Sequence, residues 1–377
     1  MSRVLPRRVL LVRLSALGDC VHVLPALDAL RRGLGPDAHL AWLVEEKAAS
    51  LLAGHPQLDE VHVLPRAATS ALLKARRPLA AAGALGRFFA GLRERRFDAT
   101  IDFQGNLRSS LAALATGARL RVGFGRGACK EGSWVLRNLN VVPRRPRMHK
   151  VEKDLELVAA LGVDTSSARP ALALPAAARA KAAAFFGARF GAGEAVVALH
   201  PGVSKFGSFK QWAPGRYAKV ADALARARGV RALVTWGPGE RALAEQVAAR
   251  TGPDTRAVVA PETASILELA ALYERCAAVV GCDTGPVHLA AALGVPVVGL
   301  YGPKDPAVYA PWSGALGRPA DAVWKAVHCS PCALRWCGNV ICMDAIGVGD
   351  VEEAVGRVMA GRAGDGHAHE REGGRDA

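Results

Sequence analysis

Short apolar runs punctuate the chain, each ending in a polar elbow and followed by a stretch where apolar residues recur every three or four positions. In the first half the runs fall at 8–14, 40–44, 61–64 and 99–103; in the second they fall at 195–199, 231–236, 257–260, 277–281 and 295–301. Runs of this length without alternation predict strands buried on both faces, and periodic stretches such as Val21, Leu24, Leu27 and Leu30 predict helices between them. Such a rhythm is that of a parallel sheet covered by helices. One core rarely serves more than about 200 residues, so the 377-residue chain is expected to form two α/β domains. The polar stretch 164–169 before Pro170 marks the boundary, giving domains over 1–165 and 166–362, and the small polar residues of 363–377 read as a disordered tail.

The chemistry-bearing residues gather in the elbows, where doubly wound sheets bind ligands at their carboxyl edge. The most developed elbow is Asp283-Thr284-Gly285-Pro286, between the run 277–281 and a helix carrying His288. Pro286 suits a first helical turn, and Gly285 admits close approach of a ligand to the backbone. The first elbow, 15–19, supplies Asp19 near a helix start, where a carboxylate stays ionised and either caps the helix or serves a site that His22 shares. The elbow 104–110 supplies Gln104, Asn106 and Arg108 at the same edge, followed by Arg121 and by Arg144, Arg145, Arg147 and Lys150, a basic set suited to an anion or to solvent. In the second half, 200–212 holds Ser204, Lys210 and two glycines, a natural phosphate cradle without the spacing of a P-loop. Glu240, in the next elbow, either grips a ribose diol or caps its helix. Gly123-Phe-Gly-Arg-Gly127 is discounted as a dinucleotide fingerprint because its third glycine is misplaced.

Composition adds three constraints. The net charge of +15 favours an anionic partner, whether phosphorylated substrate, acidic membrane surface or nucleic acid, although no aromatic-and-basic RNA motif is present. No apolar run reaches the roughly 18 residues that span a bilayer, and Arg13 interrupts the N-terminal run, so the protein is expected in the cytoplasm with its cysteines reduced. Cys329, Cys332, Cys337 and Cys342 lie within fourteen residues, a spacing that admits one structural zinc site as well as packed thiols.

Taken together, Ser15-x-x-Gly-Asp19, Asp102-x-Gln-Gly105, His200-Pro-Gly with Lys210-x-Trp212, and Asp283-Thr-Gly-Pro-x-His288 followed by 294–302 resemble the ADP-heptose:lipopolysaccharide heptosyltransferase family. The resemblance runs from about residue 8 to about 360. It implies a GT-B fold, with an N-terminal Rossmann-like domain taking the acceptor and a C-terminal one taking the nucleotide sugar across a cleft. It implies inverting transfer of heptose from ADP-heptose to the lipopolysaccharide inner core, with no metal or other cofactor required for catalysis. Asp19 resembles the general base, Lys210 the lysine on the donor diphosphate, Glu240 a carboxylate on the sugar nucleotide, and Asp283, Thr284, Gly285 and His288 the donor loop. Gln104, Asn106, Arg108 and Arg121 are then expected on the acceptor side, and the basic surface against the inner face of the membrane. The elbow 200–212 is longer than in the form associated with the first heptosyltransferase. That leaves open another sugar or acceptor, or an epimerase of the same fold, which would convert a nucleotide sugar without acceptor.

Overall fold

The computed structural model describes residues 5–255, 257–312, 319–332, 334 and 336–361, except the side chains of Lys205 and Phe206; the expected tail, 363–377, lies outside them. The first half of the chain runs β1 (Arg8–Val12), α1 (Leu17–Leu34), β2 (His39–Glu45), α2 (Glu46–Leu52), β3 (Glu60–Leu64), α3 (Arg66–Lys74), α4 (Pro78–Glu94), β4 (Ala99–Asp102), α5 (Leu107–Ala115), β5 (Leu120–Phe124), β6 (Leu139–Val141) and α6 (Lys150–Ala159). The second half runs α7 (Ala176–Arg189), β7 (Val196–His200), α8 (Pro214–Arg228), β8 (Arg231–Val234), α9 (Arg241–Ala248), β9 (Val258–Val259), α10 (Ile266–Tyr273), β10 (Ala278–Cys282), α11 (Gly285–Ala292), β11 (Val297–Tyr301), α12 (Pro306–Tyr309), β12 (Ala320–Trp324), α13 (Ile341–Asp344) and α14 (Val348–Met359).

Contacts divide the chain into two compact units, residues up to 178 with 264–268, and 179–263 with residues from 269 onward. Residues 166–178, read from sequence as the start of the second domain, go with the first. Three hydrogen bonds hold them there: Arg32 Nη1 to Ser167 Oγ at 2.9 Å, Arg169 N to Asp28 Oδ2 at 3.0 Å, and His55 Nε2 with the Ala171 carbonyl at 2.9 Å.

Each unit holds one six-stranded parallel sheet, in the order β3-β2-β1-β4-β5-β6 and β12-β11-β10-β7-β8-β9. These are one topology used twice. The chain reverses its direction of winding between β1 and β4 in the first unit and between β7 and β10 in the second. Central strands carry the apolar runs: β1 and β2 are buried beyond their first residue, and β7, β10 and β11 throughout. Sequence reading passed over β5, β6 and β12. β5 carries Arg121 and Gly123 inside an otherwise apolar run, while β6 and β12 are half-exposed sheet edges without a continuous apolar pattern.

One buried ion pair braces the ligand edge of the first sheet. Asp102, at the end of β4, accepts from Gln104 N and Gly105 N with Oδ1, and from Ser109 Oγ, Ser110 Oγ and Arg137 Nη2 with Oδ2. Both charged side chains are 1% exposed. Arg137 crosses Gly123, where a β-carbon would collide with the guanidinium, so that glycine serves packing and not a nucleotide. Arg137→Met strands a buried carboxylate and is expected to lower the unfolding free energy by about 3–5 kcal/mol, read from urea denaturation.

Candidate active site

In the first unit, Arg13 and Leu14 follow the end of β1, and α1 opens with Asp19 in its first turn. Asp19 Oδ2 accepts from Ala16 N at 3.2 Å, and Oδ1 pairs with Arg13 Nη2 at 2.7 Å. Arg13 is buried and also donates to the Phe103 carbonyl at 2.6 Å, which fixes its guanidinium. The Asp19 side chain remains 34% exposed. Burial alone would raise its carboxyl, but Arg13, the nearby charge of Lys150 and the Ala16 N–H outweigh that and hold it below the usual carboxylate value. Lys150 in turn is clamped at 2.9 and 3.0 Å by Asp154, whose own carboxyl burial pushes up. Arg13, Asp19, Lys150 and Asp154 thus form one alternating charge cluster, with Asp19 as its accessible member. His22 is buried beside it, its ring 6.1 Å from that of His149.

The other polar residues of this edge divide by task. Gln104 Oε1 accepts from Leu14 N and Ser15 N at 3.1 and 3.3 Å, tying the β4 elbow to the β1 elbow across the switch point. Asn106 caps α5, its Oδ1 accepting from Ser109 N at 3.0 Å. Arg108 reaches outward, 42% exposed, with Nη1 2.7 Å from buried Glu45, which also holds Arg66 at 2.8 Å. Arg121 departs from expectation. It is the second residue of β5, pairs in register with Thr100, and its side chain donates to the Leu136 and Ala118 carbonyls at 3.0 Å. That position is toward the amino edge of the sheet, so Arg121 binds backbone away from the other candidates. The basic segment is likewise less free than its composition implied: Arg144, Arg145 and Lys150 pair with Glu156, Glu152 and Asp154 of α6.

In the second unit the elbows after β7 and β10 meet at the switch point. Lys210 Nζ lies 2.5 Å from Asp283 Oδ2 and donates to the Asp283 carbonyl at 3.2 Å; His288 Nε2 lies 3.2 Å from Asp283 Oδ1. Burial would raise the Asp283 carboxyl, yet the His288 hydrogen bond and the Lys210 charge hold it below its usual value. Thr284 stands at the N-cap of α11 and makes no side-chain capping bond; its Oγ1 is enclosed and has no hydrogen-bond partner among the described residues. Gly285 and Pro286 form the first turn of α11. An enclosed hydroxyl beside the positive end of a helix and a lysine is an acceptor's or anion's place. Ser204 is exposed at the start of the 3-10 turn Lys205–Lys210.

Glu240 sits at the start of α9, accepting from Gly237 N at 2.9 Å, and burial raises its carboxyl. A β-carbon at residue 202 would overlap that carboxylate, which explains the glycine of His200-Pro-Gly. His200 itself is buried at the end of β7, its Nδ1 3.0 Å from Thr235 Oγ1 and 3.1 Å from Tyr273 OH. Burial pushes its imidazole down to about 4, so it is neutral and structural near neutrality. The unfolded chain takes up a proton that the folded chain refuses. Stability from this group is therefore full above 6.5 and lost as pH falls toward about 4, a dependence worth up to roughly 3 kcal/mol. Urea melts across that range should show it, and His200→Gln should flatten it.

The four clustered cysteines all carry free thiols, and among the described residues no group of three or more His, Cys, Asp or Glu is placed to hold a metal ion. Cys342 packs under Gly302 while Cys329 is exposed and Cys337 Sγ donates to the Asn339 carbonyl at 3.1 Å. Sequence reading did not assign Arg13 and Asp154 to the site, and gave Lys150 only as one of a basic set. A charge within the apolar run 8–14 was the available clue for Arg13, since a buried charge demands a partner.

Comparison with known proteins bears on the family and the fold. The sequence profile of glycosyltransferase family 9 (heptosyltransferase) matches residues 85–339. The chain is 31% identical over 333 residues to lipopolysaccharide heptosyltransferase 1 of Pseudomonas aeruginosa, covering 88% of this chain and 87% of that protein. It is 26% identical to the lipopolysaccharide core heptosyltransferase OpsX of Haemophilus influenzae, covering 82% of each. In structure it is similar to E. coli heptosyltransferase WaaC with ADP, with a TM-score of 0.71, 22% identity, and 93% and 99% of the two chains covered.

Proposed function

Because the chain belongs to glycosyltransferase family 9, the heptosyltransferases, and is a glycosyltransferase of GT-B fold, we propose that it moves heptose from ADP-heptose to the lipopolysaccharide inner core with inversion at the anomeric carbon. The observation that carries this reading is that each unit by itself holds one half of such chemistry: a part-exposed carboxylate held ionised by Arg13 at the switch point of the first, and a lysine, an enclosed hydroxyl and a helix N-terminus at the switch point of the second. Asp19 takes the proton of the acceptor hydroxyl, whose oxygen attacks the anomeric carbon from the face opposite the departing diphosphate. The bond from the anomeric carbon to the diphosphate oxygen breaks, and ADP leaves with that electron pair. Lys210, Thr284 Oγ1 and the amino end of α11 stabilise the charge on the leaving group, the work a divalent metal does elsewhere. Glu240 supports the nucleoside end, and Arg108 with Arg66 faces phosphates or acid sugars of the acceptor. Such an acceptor is lipid-anchored, so the protein works as a peripheral protein at the inner face of the membrane. Among the described residues no helix is long and apolar enough to cross one.

The test is transfer from ADP-heptose to heptose-deficient core lipopolysaccharide in the presence of EDTA. Product of inverted anomeric configuration is expected. Loss of turnover restored by magnesium, or conversion of the nucleotide sugar without acceptor, would contradict the mechanism. Thr284→Val sharpens the donor assignment: deleting a hydroxyl with no hydrogen-bond partner among the described residues should leave the melting temperature unchanged while weakening ADP binding about threefold to tenfold. A stability loss with unchanged ADP affinity would remove Thr284 from the donor site.

A further inference from the structure

The hairpin of α3 and α4 has a tip unlike the rest of the first unit. α3 ends at Lys74, three residues turn the chain, and α4 begins at Pro78. Leu73 is 55% exposed and Leu79 88% exposed, with Lys74, Arg76 and Arg77 exposed between them. From residue 61 to residue 93 the chain has six Lys or Arg and no Asp or Glu. Lys74, Arg76 and Arg77 have no acidic partner among the described residues. Arg76 has a φ of 54°, the left-handed region in which glycine closes a helix most easily. The turn would form without that side chain.

Topology places this tip. β3 delivers the chain to the carboxyl edge of the sheet, and β4 starts from the opposite edge, so α4 makes the return. α3 packs against α4 and is joined to it by a short turn, which makes the two antiparallel. α3 therefore leads away from the sheet, and the tip stands off the carboxyl edge, the edge that carries Asp19.

We propose that residues 73–79 dock the protein on an anionic lipid bilayer, with Leu73 and Leu79 entering the interface and Lys74, Arg76 and Arg77 pairing with headgroup phosphates. This rests on the reading that the acceptor is lipid-anchored: docking by this tip brings the edge bearing the base to the surface from which the acceptor projects. The pairing of exposed leucines with cations alone selects an anionic bilayer over a protein surface, which would need acidic or mixed contacts. Each cation contributes about fivefold in affinity near such a surface. Two leucines and three cations give reversible attachment, suited to an enzyme that must move between acceptors.

The test is co-sedimentation of the full chain with phosphatidylglycerol–phosphatidylethanolamine vesicles free of lipopolysaccharide, against phosphatidylcholine vesicles. Salt-sensitive binding to the anionic vesicles alone is expected. Arg76→Gly with Arg77→Ser should reduce it by at least about tenfold, and Leu73→Asp with Leu79→Asp should abolish it, with melting temperatures unchanged. Lys219→Ser with Arg226→Ser, which removes two exposed charges from α8, should leave it intact. No binding by the native chain, equal binding to phosphatidylcholine, or equal loss in the α8 control would overturn the proposal. Turnover on a deacylated, soluble core acceptor should survive the tip substitutions. Loss of that turnover would show that the tip grips the acceptor sugars, whereas absence of turnover in the native chain would count against the transferase reading and leave the vesicle result standing.

Discussion

Asp19→Asn is expected to lower kcat for sugar transfer by about 1,000-fold, the usual worth of a positioned general base, while ADP affinity measured by calorimetry stays within twofold, about the error of such a comparison. Asparagine keeps the shape and one oxygen for Arg13, while its Nδ2 cannot accept from Ala16 N, so a melting curve is the control that the first unit stays folded. The environment of Asp19 also fixes the pH behaviour. Its carboxyl is held below the usual carboxylate value, so the proposed base is already ionised near neutral pH. The acid limb of kcat/KM from this group should fall below the usual carboxylate range. Lys150→Met removes one of the charges that lowers it and should move the limb upward. An acid limb near neutrality that disappears in Asp19→Asn would contradict this assignment. A base so weak accepts the proton only once the acceptor oxygen has begun to bond to the anomeric carbon, which places proton transfer late in the attack.

Lys210→Ala should weaken binding of ADP and ADP-sugar about 10- to 100-fold, the range for a lost charge-assisted hydrogen bond. Asp283→Ala should do the same for another reason: Lys210 then loses the carboxylate that aims it. Because Lys210 and Asp283 touch at 2.5 Å, the double variant should bind little worse than either single one. Additive losses would mean that the two residues serve the donor separately. His288 braces the second oxygen of Asp283, and its replacement by Ala should weaken binding less.

Which of these residues sequence reading could place depended on what each polar group is needed for. Elbows after apolar runs were legible because clustered glycine, proline and polar residues interrupt the apolar pattern of a buried strand, and the ligand edge collects such clusters. Asn106 and Gln104 lie in such an elbow, yet the structure uses them to satisfy orphan N–H groups at the start of α5 and the end of β1. A residue pattern does not separate that work from binding a sugar. Arg121 was misplaced because β5 itself was not recognised, and without the strand its distance from the carboxyl edge was invisible. The basic run near Arg144 read as suited to an anion or to solvent until α6 supplied its acids, which lie twelve and seven residues onward in sequence but adjacent in space. The charge cluster around Asp19 joins β1 to α6 across more than a hundred residues, so no local spacing could announce it.

The strand order that the two sheets share has a consequence for how this protein can change. Asp19 and Arg108 in the first unit, and Lys210 and Asp283 in the second, follow the first and fourth strands of the same six-strand plan, so the proposed base and the proposed donor grip are corresponding features of two separate frameworks. Variation confined to 200–212 and 283–288 can therefore alter the nucleotide or sugar taken while leaving the Asp19 cluster untouched, and variation around Arg66 and Arg108 can alter the acceptor while leaving the donor grip intact. A library built on either pair of loops explores one substrate at a time, which makes this architecture a favourable starting point for recombining donors with acceptors.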